Sequence, residues 1–383
     1  MVLPAPPPSV GNPITAGAIL AEYGVNPPFD FEELYGVRPQ IQTSGQIALS
    51  NFYGVNSFSI FIAYDTYGNT TVESNFTMIQ AGFSAGNTFS NSSVYIDSVA
   101  NRMIDSAELY VGGQLIERIT GEFIQIEEEL TIPYENQTAL NVLIGKGDTT
   151  VGVNPRTYIA NIPFYFYKKP ELSLPMVALG RQDVELHVNF RPLTELQSTI
   201  TQLPSFYDAT ILADIAFISQ EEMKFFKENR LDYTITQLQR SSSVIPANSS
   251  EALYQTYFVN PVSELYFLVH TDTFQYSNAV NQIQLYYNGQ LAFDDDSTIL
   301  QIIEPLYKHT STPSSNVYVK SFALQPEMGD PSTFVNMSRI RQQIYDVKFD
   351  PSPSQRNFVI YAKNYNILRV ENGLAGLLFN SSK

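Results

Sequence analysis

The chain contains no cysteine, so its 383 residues can form no disulfide framework, thiolate metal site or cysteine nucleophile. That absence fits maturation in a reducing cytosol. Histidine is also scarce. His187, His270 and His309 stand far apart with no His-x-x-x-His spacing, which leaves a structural zinc site without a ligand set. Charged residues make up only 16% of the chain, and Lys plus Arg number 22 against 38 Asp plus Glu. The formal charge of -16 repels phosphate backbones, so no direct nucleic-acid binding by the bulk of the surface is expected. No apolar run is long enough for a membrane-spanning helix. The opening MVLPAPPPSV has neither a positive n-region nor an apolar h-region, so no secretory signal is expected.

Against these absences, hydrophobic residues reach 44%, with 24 Tyr and 25 Phe. Aromatic and β-branched residues suit pleated, half-buried surfaces, so the composition leans to β structure. The length is comfortable for two domains of about 180 residues.

Residues 1–30 are rich in proline (Pro4, Pro6, Pro7, Pro8, Pro13, Pro27, Pro28) and read as an extended arm. From about residue 45 the chain reads as short strands between Gly, Pro, Asn, Asp and Ser clusters. FSIFIAY, AELYVGG, DVELHVNF, SELYFLVHT, QIQLYYNG and FVIYAKNYNIL are examples. Many short strands with frequent turns indicate a sandwich or barrel. The best helix candidate is SQEEMKFFKEN, 219–229, with Ser219 as N-cap and Glu222 completing a capping box. Met223 and Phe226 would share one face.

LYVGGQL (109–115) and LYYNGQL (285–291) agree at five of seven positions, 176 residues apart. Asn189-Phe190 and Asn364-Tyr365 echo each other at 175. A period that long is a whole domain, so the chain reads as a duplicated β protein. The expected division is an arm over 1–30, one domain over 31–197 and a second over 198–383.

The strings that carry chemistry elsewhere lack their context here. Gly82-Phe83-Ser84-Ala85-Gly86 matches a nucleophile elbow in letters, but no helix follows, so a turn is expected. Glu127-Glu128-Glu129 and Asp294-Asp295-Asp296 lack EF-hand spacing and read as solvated loops. GKGD (145–148) lacks the upstream glycine and following Ser/Thr of a P-loop. His187 reads as a packed or surface histidine. The sequons at Asn69, Asn75, Asn91, Asn136, Asn248, Asn336 and Asn380 read as incidental without a secretory route. No catalytic, cofactor-binding or metal residue is assigned, and no cofactor is expected. The protein is expected to work through surfaces, not as an enzyme. A lectin or a glycan-processing enzyme would need a calcium site, an aromatic cleft or paired carboxylates, and none can be located.

Several longer strings go further. AELYVGGQLIERITGEFIQIEEEL (107–130), YIANIPFYFYKKPELSLPMVALGRQDVELHVNFR (158–191) and ILADIAFISQEEMKFFKENRLDYTITQLQ (211–239) occur in order. IEPLYKHTSTPSSNVYVKSFALQPEMGDPSTFVNMSRI (303–340) and NFVIYAKNYNILRVENGLAGLLFN (357–380) follow. Together they resemble the major capsid proteins of nucleocytoplasmic large DNA viruses. Arg341 stands where that family has Asp after Ser-Arg-Ile, so the turn there must be satisfied differently. The resemblance implies an all-β fold of two tandem eight-stranded antiparallel jelly rolls, with a few short helices in loops. It implies a homotrimer presenting a pseudo-hexagonal capsomer in the icosahedral shell of a large dsDNA virus. The partners implied are neighbouring capsomers, minor capsid proteins and, beneath the shell, an internal virion membrane. The implied location is the virion, after synthesis in host cytoplasm. The short motifs take structural roles: Gly112-Gly113 and Asn288-Gly289 in turns, Pro163, Pro175, Pro305, Pro313 and Pro326 at strand starts, edges or loops, and Arg339 locking a loop against carbonyls.

Overall fold

A computed structural model describes residues 46–47, 57–62, 71–85, 94–95, 97–147, 157–167, 169–199, 206–270, 276–314, 316–328 and 331–379. The Pro-rich arm over 1–30 and the sequons at Asn69, Asn91 and Asn380 lie outside them. Two compact units are built from these residues. One holds the residues up to Gln125, Thr138–Tyr233 and Leu368–Leu377; the other holds Ile126–Gln137, Thr234–Ile367 and the residues from Leu378.

In the first half the strands are β1 (Gln46–Ile47), β2 (Ser57–Ile62), β3 (Thr71–Ala85), β4 (Val94–Tyr95), β5 (Ile104–Val111) and β6 (Gln114–Thr120). They are followed by β7 (Thr157–Asn161), β8 (Val184–Phe190), β9 (Gln197–Thr199) and β10 (Phe206–Ile218). One four-stranded sheet has the order β1-β10-β3-β7 and another β2-β8-β5-β6. The second half repeats the plan with β11 (Leu231–Ile245), β12 (Glu251–Thr256), β13 (Pro261–His270), β14 (Val280–Tyr287), β15 (Gln290–Asp296), β16 (Tyr318–Ser321), β18 (Gln343–Phe349) and β19 (Arg356–Glu371). Its sheets run β11-β19-β13-β16 and β12-β18-β14-β15, with β17 (Val335–Asn336) beside β13 and β20 (Leu374–Leu377) beside β19. Setting aside the small β4-β9 pair in the first half and β17 and β20 in the second, each half is thus an eight-stranded jelly roll, in which first, last, third and sixth strands share one sheet.

The sequence echo at 109–115 and 285–291 has a structural cause. β5–β6 and β14–β15 are equivalent hairpins, each at the same end of its sheet. Both turn residues of each hairpin have positive φ. They are Gly112 (57°) and Gly113 (75°) in the first, and Asn288 (50°) and Gly289 (84°) in the second. Gly and Asn tolerate this left-handed region, which other residues resist. Each pair also carries a register shift two residues before its turn, at Leu109/Tyr110 and at Leu285/Tyr286. The second echo does not survive. Asn189 lies in β8 and Asn364 in β19, and the strand equivalent to β8 is β18. Its offset was a coincidence of two short strings.

The helix over 219–229 forms as α4 (Gln220–Glu228), numbered after α1 (Val99–Met103), α2 (Gly121–Thr131) and α3 (Tyr134–Ile144). The Ser219 N–H donates to Glu222 Oε2 at 2.8 Å, and the Glu222 N–H donates to Ser219 Oγ at 3.3 Å, closing the capping box. Met223 is buried and Phe226 half-buried, while Phe225 faces solvent. α2 and α3 have no counterpart among the helices expected from sequence.

The core of the second unit draws from both of its sheets. Leu265, Phe267, Phe358 and Ile360 come from β13 and β19, and Ile283, Leu285, Tyr345 and Val347 from β14 and β18. Phe358 is central. Its ring lies 4.9 Å from Tyr254, 5.6 Å from Phe349 and 6.2 Å from Phe267. Truncating it leaves a cavity between the two sheets. Phe358→Ala is expected to cost about 3–5 kcal/mol. The check is urea unfolding followed by far-UV circular dichroism, and an unchanged midpoint would contradict this packing.

Candidate functional site: a buried ionic cluster beneath an apolar face

β13 is buried along nine of its ten residues, on both faces. Its Leu265, Phe267 and Val269 point into the jelly-roll core, so Glu264, Tyr266 and Leu268 face the other way. A carboxylate therefore sits in an apolar strand with no access to water: the Glu264 side chain is 0% exposed. Such a group stays ionised only when paired.

Three elements supply partners. His309 follows α5 (Glu304–Lys308), and its Nε2 lies 3.0 Å from Glu264 Oε1, with the side chain 2% exposed. The other ring nitrogen is 3.4 Å from Glu327 Oε1. Lys363 is the cross-strand neighbour of Glu264 on β19, and its Nζ meets Glu127 Oε1 of α2 at 3.2 Å. The Tyr266 hydroxyl donates to Glu264 Oε2 at 2.6 Å.

The charges support one another. Burial pulls the His309 pKa down, but Glu264 and Glu327 outweigh it and hold it up at about 9. Burial would raise Glu264, yet His309 and Lys363 keep it below its ordinary value. Lys363 is opposed by burial and raised by Glu127 and Glu264. His309, Glu264 and Lys363 are thus ionised at neutral pH, and cations and carboxylates meet here from five segments of chain.

Those segments carry an exposed surface. A π-helical turn, Ile299–Ile303, runs directly into α5. Leu300 and Pro305 are buried, while Ile302, Ile303, Leu306 and Tyr307 are exposed, the last two at 61% and 78%. Lys308 Nζ donates to the Ala323 carbonyl at 2.9 Å, and the Thr310 N–H donates to Glu327 at 2.7 Å. These bonds seat the loop 322–328 beside the helix, where Leu324 and Met328 are also exposed. The loop is itself tied, since the Leu324 N–H donates to Ser332 Oγ at 3.0 Å. From the other side, Ser311 bonds the carbonyls of Leu130 and Ile132 at 2.8 and 2.7 Å. Glu304 pairs with Lys320 at 2.7 Å, and Lys320 with Asp295 at 2.8 Å. The nearby charges turn inward, and apolar side chains are left outside.

Several expectations are corrected here. Glu127-Glu128-Glu129 is not a solvated loop but the last turns of α2, with Glu128 and Glu129 buried and Glu127 on Lys363. Asp294-Asp295-Asp296 is strand β15. Asp295 pairs with Lys320, and Asp296 Oδ1 accepts the Ile299 N–H at 3.0 Å. Gly82–Ala85 forms part of β3, hydrogen-bonded on both sides to β10 and β7, so neither an elbow nor a turn exists at Ser84. Pro305 lies near the start of α5, in the helix that continues from the turn at Ile299–Ile303, and not at a strand start, strand edge or loop. Arg339 is exposed. The loop it was expected to lock is held by Ser338 Oγ, which accepts the Asn260 N–H at 2.7 Å, and by Asn336. At the departure at Arg341, the N–H groups of Arg341 and Gln342 donate to Asn288 Oδ1 at 3.2 and 3.1 Å, so the β14–β15 turn supplies the missing acceptor. His187 is half-buried on β8 with its Nε2 2.9 Å from Glu185. Among the described residues, no group of three or more His, Asp or Glu is arranged to hold a metal ion.

The cluster was missed in the sequence, although two signals marked it. Glu264 in SELYFLVH and Lys363 in FVIYAKNY are charges inside otherwise apolar strands, and each requires a partner from elsewhere.

Folding raises the His309 pKa from 6.5 to about 9, so its stabilisation is complete below pH 6.5, fades above that and is gone past 9. The lowered Glu264 contributes above its ordinary value of 4.5 and is lost as the pH falls below it. The His309 part amounts to roughly 3 kcal/mol. The melting temperature is expected to peak between these limits and to decline toward pH 9. His309→Gln should remove that alkaline decline. A wild-type to variant difference that stays constant from pH 6 to 9.5 would rule the account out.

Two family models match the chain. Residues 44–229 match "Major capsid protein N-terminus", and residues 222–376 match "Large eukaryotic DNA virus major capsid protein". The major capsid protein of Pyramimonas orientalis virus is 25% identical over 317 residues, covering 73% of this chain and 77% of that protein. That of Phaeocystis pouchetii virus is 21% identical over 442 residues, covering 77% and 85%. Among solved structures, the quasi-atomic model of the PBCV-1 virus capsid shares the fold. Its TM-score is 0.74 at 18% identity, covering 92% of this chain and 99% of that one.

Proposed function

The chain belongs to the family of large eukaryotic DNA virus major capsid proteins, and from that membership we propose that three copies form a capsomer tiling an icosahedral shell. The family is structural and not enzymatic. The carrying observation is the doubled eight-strand plan: one chain offers two similar jelly rolls, so a cyclic trimer presents six around its axis, a pseudo-hexagonal outline. Jelly rolls leave few open sheet edges, which suits a protein packed at high concentration.

The same reading gives the finer assignments. The virion capsid is the site of action, with synthesis and assembly in host cytoplasm, in keeping with a cysteine-free chain. Neighbouring capsomers, minor capsid proteins and an internal membrane beneath the shell are the partners. The Pro-rich residues 1–30 act as an arm. Two jelly-roll domains follow; the boundary expected at 197/198 moves later, because the pairing of Phe206–Ile218 with β1 and β3 supports carrying the first one on to Tyr233.

Light scattering on the purified chain after size exclusion tests the proposal. One chain weighs 43.0 kDa, and the expected native mass is three times that, unchanged in high salt. A folded monomer at high concentration would refute the capsomer.

A further inference from the structure

We propose that the apolar face on the second unit, formed by Ile302, Ile303, Leu306, Tyr307, Leu324 and Met328, is where each copy grips the next copy of this chain. The inference rests on the trimer reading above and adds which surface closes it.

Three observations carry it. The first is charge. Every copy bears -16, so two copies repel unless their contact is nearly uncharged. This face meets that need by construction. Glu304 is tied to Lys320 and Lys308 to the Ala323 carbonyl, so the charges of α5 point away from the apolar residues. The second is spacing. The exposed pairs 302/303 and 306/307 recur four residues apart, which sets them on one side of a continuous helix. Leu324 and Met328 extend that side from a loop bonded to the helix end. The third is rigidity. The exposed side chains stand on backbone held by His309, Glu264 and Glu327 from beneath, so little ordering is left to be done on association. An apolar surface this well supported, on a chain carrying a large like charge, fits a second copy that approaches where the least charge is brought together. In a cyclic trimer the contact is heterologous, so the face meets a different surface of the neighbour.

The test compares native masses of full-length chains. Leu306→Asp with Tyr307→Asp is expected to convert the trimer to a folded monomer, with the melting transition retained. Leu253→Asp, an exposed apolar position on β12, should leave the trimer intact. If wild type is trimeric and the double variant is too, this face is refuted while the trimer reading stands. If wild type is itself monomeric, the trimer reading falls and this proposal with it. Should the double variant not fold, Tyr307→Cys gives the answer in a chain with no other thiol. Its labelling by a maleimide should be slower in the trimer than after dilution to monomer. Labelling equally fast in both states would overturn the proposal. Labelling slowed only by added phosphatidylcholine vesicles would also overturn it, making the face a lipid contact.

Discussion

Burying Glu264 without water imposes the strongest demand in the second unit. A lone carboxylate in that position would not stay charged, and desolvation alone would push it to the neutral form. It stays charged because His309 pairs with it and Lys363 lies beside it on the neighbouring strand, and these cations are balanced in turn by Glu327 and Glu127. Removing a member upsets the balance of the buried charges that remain, which is why such clusters are costly to break even where their net contribution is small. The cluster thereby determines where five stretches of chain must lie.

Strand, helix and loop follow from it. β13 can be buried on both faces because the residues after α5 and the end of α2 cover the side that carries Glu264. The loop 322–328 is placed by Glu327, which faces both His309 and Thr310. The apolar side chains on this scaffold are exposed because the charged ones are used inward. Packing, electrostatics and the surface offered to a partner are therefore one arrangement, in keeping with membership of a family of shell-forming proteins.

The jelly rolls themselves depend on more ordinary forces. Alternation in VELHVNF gives β8 one buried and one half-buried face, and the continuous apolar run of β13 marks a strand covered on both sides. Aromatic rings from two sheets meet around Phe358.

The parts legible in the sequence were those whose causes are local. Turn chemistry at Gly112-Gly113 and Asn288-Gly289 needs only the residues that tolerate positive φ, and it revealed the duplication. The capping box of α4 is set by two residues three apart. Alternating and continuous apolar runs gave the β class. What the tertiary structure alone decided were the features whose partners are remote. Glu127 reads as solvated in the sequence because its counter-ion, Lys363, lies 236 residues away. The Asn189 and Asn364 echo deceived because strand equivalence is a matter of sheet order, which short strings do not encode. His309 became an ionised core residue only when folding brought two carboxylates to it, since a side chain's charge in a dry interior is settled by neighbours and not by its own identity.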